Sequence, residues 1–176
     1  MNTNNKDIDL DALLTRLGAC HEAREWAAGK TLKQAWNECH RGDWLLWLAG
    51  MLDIDRKVLV QATCACARLA LPHVPAGELR PLKSIEAAEA WTRGEAMIED
   101  VRAAVVAVDA AWARAARAAC AAWRAAATWA AAEAAGAAAG AWGAALAAKL
   151  AECADIVREH VSYELIAEAA RREATK

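Results

Sequence analysis

Between Ala103 and Ala151 more than half of the residues are alanine, and Trp112, Trp123, Trp129 and Trp142 punctuate the tract. Alanine has the highest helix propensity and loses almost no side-chain entropy on folding. It brings no hydroxyl, thiol or carboxylate to a reaction. The tract therefore specifies helix made for close packing, which points to a binding or structural protein rather than an enzyme.

The rest of the composition narrows the class. With 176 residues, the chain has length for one domain with a core and is short for two. A formal net charge of −2 gives no cationic excess for duplex nucleic acid. Phenylalanine is absent beside 9 tryptophans. Codons rich in G and C account for the abundance of alanine but not for where the tryptophans sit. The opening residues MNTNNKDIDL lack an apolar signal core, and the 6 cysteines are irregularly spaced, so reduced thiols and a cytoplasmic location are expected. The longest uncharged run, between Glu133 and Lys149, falls short of the ~18 apolar residues of a membrane span.

No stretch alternates β-branched and polar residues, so an all-α fold is expected, with about six to eight helices. Pro72, Pro75 and Pro81 mark a connector over 72–81 inside a single domain of 1–176. Short helices in hairpins precede it over 1–71, and long alanine-rich helices follow over 82–176. The first helix runs from Asp7 to Ala28 with a break near Gly18. Thr31 and Gln34 form a capping box for the second, which Gly42 ends. Asp43 caps a third helix, Trp44 to Leu52. A fourth starts near Asp53 or Asp55 and stops at Pro72, a fifth runs from Pro81 to Gly94, and a last one follows Ser162. Breaks in the alanine tract are expected near Gly136, Gly140 and Gly143. Trp26, Trp47 and Trp91 each precede a glycine by one turn, which reads as a ring packed over a helix end.

Three residue groups could carry chemistry. Cys20-His21, Cys39-His40 and Cys64-x-Cys66 offer zinc-type ligands, but neighbours on a helix point apart, and buried cysteine behaves as a small hydrophobe. No metal or cofactor is expected. Asp43, Trp44 and Trp47 belong to the densest aromatic cluster; such rings fill cores, and tryptophan also dominates protein interfaces. Arg80 and Lys83 place cations at a helix start, where free N–H groups already favour an anion. The competing expectation is a solvated face with Lys83–Glu86 and Glu89–Arg93 pairs.

LGACHEAREWAAGKTLKQAWNECHRGDWLLWL, followed by RKVLVQATCACARLALPHVPAGELRPLKSIEAAEAWTRGE, resembles the immunity proteins of bacterial polymorphic-toxin systems, which also occur in phage genomes. The shared marks are Glu-Trp, Gly-Asp-Trp, then Leu-Arg-Pro with glutamate and Trp-x-x-Gly, ahead of a long alanine-rich tail. The resemblance covers roughly Leu17 to Val161. It implies an all-helical, non-catalytic protein that neutralises a toxin or defence effector by binding it. Relatives carry tyrosines along the tail where this chain has tryptophan and alanine.

The residues expected to bind are Asp43, Trp44, Trp47, Arg80, Lys83, Glu86 and Trp91. Two rivals stand beside the immunity reading. One is a phage-type sponge that sequesters a nucleotide immune signal between tryptophans and cations. The other is a helical oligomeric scaffold. A homodimer through the alanine-rich helices is expected in each case, with no membrane partner.

Overall fold

The computed structural model describes residues 8–74, 76–104, 106 and 147–175, except the side chain of His73. The protein is all-helical, and no strand occurs among the described residues. Its helices are α1 (Leu10–Leu17), α2 (His21–Ala27), α3 (Leu32–Glu38), α4 (Gly42–Met51), α5 (Arg56–Arg68), α6 (Arg80–Arg93), α7 (98–104), α8 (147–160) and α9 (Tyr163–Ala174). None of these is long and apolar enough to cross a membrane. The apolar stripe past Ala104, the breaks at Gly136, Gly140 and Gly143, and the dimer contact expected of the alanine tract lie outside the described residues.

Local chemistry accounts for most helix ends. Asp9 accepts the Ala12 N–H at 3.0 Å and caps α1. Gly18 stops α1 in the left-handed conformation at φ 77°, so the first long helix is indeed broken there. Thr31 and Gln34 satisfy each other's backbone N–H groups at the start of α3, as the capping box requires. Asp55 accepts the Lys57 and Val58 N–H groups ahead of α5. Ser162 caps α9 through the Leu165 N–H.

Four expected boundaries move. α5 ends at Arg68, ahead of the expected stop at Pro72, which lies in a separate short 3-10 turn, Leu71–His73. Gly42 opens α4 instead of ending the preceding helix, which stops at Glu38. The cap residue of α4 is Arg41, and Asp43 lies in the first turn, because its carboxylate is taken by the Arg41 guanidinium. The tryptophan–glycine echo holds at Gly29 and Gly94, both at positive φ, but Gly50 remains inside α4, and Asp53 takes the left-handed turn at φ 56°.

The contacts divide the chain into two compact units, Met1–Cys66 with Leu150–Lys176, and Ala67–Lys149. The expected partition into consecutive short-helix and long-helix parts does not describe the first unit, because α8 and α9 return to pack with α1–α4. Its core joins Leu10, Leu13, Leu14 and Leu17 of α1 to Leu32, Ala35, Trp36 and Cys39, to Leu45, Leu48 and Ala49 of α4, and to Ala154, Val157, Val161, Ile166, Ala169 and Ala170. Among the described residues, Trp36 is the largest fully buried side chain. It belongs to a stripe, Leu32, Ala35, Trp36 and Cys39, at the spacing that marks one helix face.

Two long-range contacts fasten α8 to the corner between α3 and α4. A Cβ placed on Gly42 would stand 2.5 Å from the Cys153 Cβ and 2.8 Å from the Ala154 nitrogen. Only glycine admits α8 backbone at that distance. Arg158 donates to the carbonyls of Trp36 at 3.0 Å and Cys39 at 2.9 Å, and to Asp155 at 2.8 Å. A cation thus satisfies carbonyls at the end of α3, where the helix dipole is negative.

The second unit shows its own pairing. Arg68 binds Glu89 through two bonds of 2.8 and 2.7 Å. That contact replaces the expected Glu89–Arg93 pair, and Arg93 turns to Glu95 instead. The Arg68 bonds hold the Glu89 carboxyl below its ordinary range.

Cys20, Cys39, Cys66 and Cys153 are free thiols. Cys39 and Cys64 are buried, and Cys20 is exposed. Cys66 donates to the Cys153 carbonyl at 3.6 Å; burial, with the neighbouring Cys153 thiol, pushes its thiol up to about 12. Only thiolate attacks an electrophile. Mapping of N-ethylmaleimide adducts at neutral pH should therefore find Cys20 labelled and Cys39, Cys64 and Cys66 intact until the protein is unfolded; early modification of Cys66 would contradict the packing. Gly42→Ala should cost ~2–4 kcal/mol of stability, because relief requires backbone movement in α8. Arg158→Met should cost ~1.5–3 kcal/mol through the uncapped carbonyls. Urea unfolding monitored by circular dichroism checks both.

Candidate functional site

In the first unit, the end of α2 and the start of α4 bring Trp26 and Trp44 together. Their ring centroids are 6.2 Å apart with planes at 61°, an edge-to-face contact. Each ring carries a cation. Lys30 Nζ lies 5.1 Å from the Trp26 centroid, and the Arg41 guanidinium carbon lies 4.4 Å from that of Trp44. The positions follow from local structure. Lys30 leaves the left-handed turn at Gly29 that ends α2, and Arg41 is the residue on which α4 starts.

Carboxylates hold the cations in place. Arg41 donates to Asp43 through Nε at 2.9 Å and Nη2 at 2.7 Å, and to Glu22 at 3.4 Å. Lys30 donates to Glu38 at 2.7 Å. The Arg41 bonds hold the Asp43 carboxyl below its ordinary range, against a smaller opposing effect of burial. The same bonds raise the Arg41 guanidinium further.

Beneath the rings is an apolar hollow of about 50 Å³, lined by Trp26, Trp36, Trp44 and Trp47 and by aliphatic residues of α1 and α4 such as Leu10, Leu14, Leu45 and Leu48. Trp26, Trp44 and Trp47 are half-buried, each packed on the core. Each ring therefore has one side on the core and the other toward solvent. The hollow accepts part of one side chain; small-molecule sites are several times larger, typically ~300–1,000 Å³.

The other expected site residues, Arg80, Lys83, Glu86 and Trp91, lie on α6 in the second unit. There the helix start already has an anion. Glu78 accepts the Arg80 backbone N–H at 2.9 Å and binds its guanidinium through Nε and Nη2. The anion at Arg80 is thus, in this structure, a carboxylate of the chain itself. Lys83 and Glu86 are exposed, and Trp91 is half-buried one turn before the Gly94 cap. Sequence reasoning passed over Arg41, Lys30, Glu22 and Glu38 as site residues. The Gly-Asp-Trp block identified Asp43 and Trp44, and Glu-Trp contained Trp26, but which charges land on which rings depends on the path between helices. Among the described residues no three His, Cys, Asp or Glu side chains gather as a metal ion would need.

Asp43 should titrate below the ordinary carboxylate range by NMR and return toward it in Arg41→Gln. With the folded value depressed, the pair stabilises the protein above the ordinary range and loses that contribution as pH falls through the depressed value. Its exposure limits the effect to ~0–1 kcal/mol. Trp44→Ala should cost about 2 kcal/mol, because it removes the ring contact and the cation contact together. No family model, no curated protein and no solved structure matches this chain.

Proposed function

We propose that this chain is a non-catalytic binding protein of the immunity or counter-defence type, which neutralises a protein partner in the cytoplasm by docking through the Trp26–Trp44 face. The observation that carries the reading is the pair of half-buried tryptophans, stacked with Lys30 and Arg41 above an apolar hollow. Tryptophan and arginine are the residues most enriched at the energetic centres of protein interfaces. Rings already fixed by neighbours lose little entropy when a partner arrives. A protein side chain matches the size of the hollow, whereas a nucleotide base with its phosphates does not. The Glu78–Arg80 pair also argues for a protein partner over a nucleotide, since a phosphate at that helix start would have to displace a carboxylate. The proposal includes a homodimer through the alanine tract, on the strength of its small-residue composition.

Native mass spectrometry of the protein purified from infected or defence-active cells, before and after heating, tests the reading. A co-purifying polypeptide is expected from the native protein and should be lost from Trp44→Ala. A small bound mass released by heat would overturn it in favour of nucleotide sequestration. Light scattering should give a dimer that Gly136→Leu with Gly140→Leu disrupts; a monomer over a wide concentration range would end that part of the proposal.

A further inference from the structure

The ion pairs around the two tryptophans are unevenly exposed. Glu22 is 73% exposed, while the Arg41 side chain that it meets is 35% exposed. Glu38 is 52% exposed against 29% for Lys30. Asp43 also stands further into solvent than Arg41. The order is not general, for in Arg16–Glu173, Arg68–Glu89 and Arg80–Glu78 the cation is the more exposed partner. Arg24–Asp11 and Arg158–Asp155 share the order without a ring; at this face stacking accompanies it. Lys30 and Arg41 lie across indole rings, which cover their stems and attract their charge, and the carboxylates that pair with them stand outermost. Around the ring pair there are thus the carboxylates of Glu22, Glu38 and Asp43 against the cations of Lys30 and Arg41.

We infer that this face recognises a cationic protein surface, one that presents an apolar side chain between lysines or arginines. This rests on the reading of the Trp26–Trp44 face as the docking surface and adds the chemistry of its partner. The apolar side chain meets the indoles and the hollow. The partner's cations reach the outward carboxylates, which keep enough solvent exposure to turn from Arg41 and Lys30 toward a new partner. Charges so placed at a rim act mainly on association rate and on the rejection of acidic surfaces.

The test uses three blocked peptides of equal length, each with one central leucine flanked by lysines, by glutamates or by glutamines. Binding is read from the indole N–H signals of Trp26 and Trp44, assigned with Trp26→Phe and Trp44→Phe. The lysine peptide should bind at least about tenfold more tightly than the glutamate peptide at ~0.02 M salt, with the ratio shrinking toward one at ~0.5 M as screening sets in. Glu22→Gln with Glu38→Gln should weaken the lysine peptide and strengthen the glutamate peptide. Because Asp43 still holds Arg41 in that variant, its melting temperature should stay near that of the native protein, and thermal melts check this. Equal binding of all three peptides, lost in Trp44→Ala, would overturn the cationic partner and leave the docking face standing. Absence of binding by all three, or binding that survives Trp44→Ala, would overturn both. Preference for the glutamate peptide would reverse the assigned charge.

Discussion

The close approach of α8 to Gly42 is the contact on which the first unit depends. The start of α4 meets the Cys153 Cβ and the α8 backbone there, with no side chain of its own in the way. Dispersion falls off steeply with distance, so such a contact is favourable only where the missing Cβ leaves no void. Arg158 adds direction to it. Its guanidinium reaches two carbonyls at the end of α3, groups that burial would otherwise leave without a donor. Together these contacts tie residues 153–158 to residues 36–42, more than a hundred positions earlier, and bring α9 back onto α1 and α3.

The same corner builds the candidate site. Between Cys39 and Trp44, one side of the chain faces the core and the other faces solvent. The Cys39 thiol accepts the Arg41 N–H at 3.4 Å, which fixes the bend. Gly42 then meets α8, while Arg41 and Asp43 point away from it and pair across the start of α4. Trp44 follows and slides under the guanidinium. A binding surface laid on such a bend is preorganised by the packing behind it, which lowers the entropy cost of docking. Substitutions in the core at Gly42 and at the surface at Trp44 are therefore coupled, and their effects are not expected to add.

The second unit shows a different use of charge. Glu78 and Glu89 each engage an arginine through two bonds, Arg80 and Arg68 respectively. These are structural pairs: one sits at the start of α6 and the other ties Glu89 to Arg68. They also explain why an apparently favourable anion site at Arg80 serves the fold instead: the carboxylate two residues earlier lies within reach of both its guanidinium and its backbone N–H.

Local rules were enough to read the helices from the sequence. Asp9, Thr31 with Gln34, Asp55 and Ser162 cap by hydrogen bonds that span two or three residues, and Gly18, Gly29 and Gly94 stop helices because glycine tolerates positive φ. The all-helical class and the turn at Gly18 were legible for that reason. Tertiary structure decided the rest. Gly42 resembles any helix-ending glycine until α8 is seen against it, and Arg158 looks like one more surface cation until it reaches Trp36 and Cys39. The cations on Trp26 and Trp44, and hence the outward carboxylates, depend on how α2 and α4 cross. Capping and propensity are written within a few residues of the chain, whereas close approach and charge placement depend on which distant backbone arrives, and no local pattern encodes that.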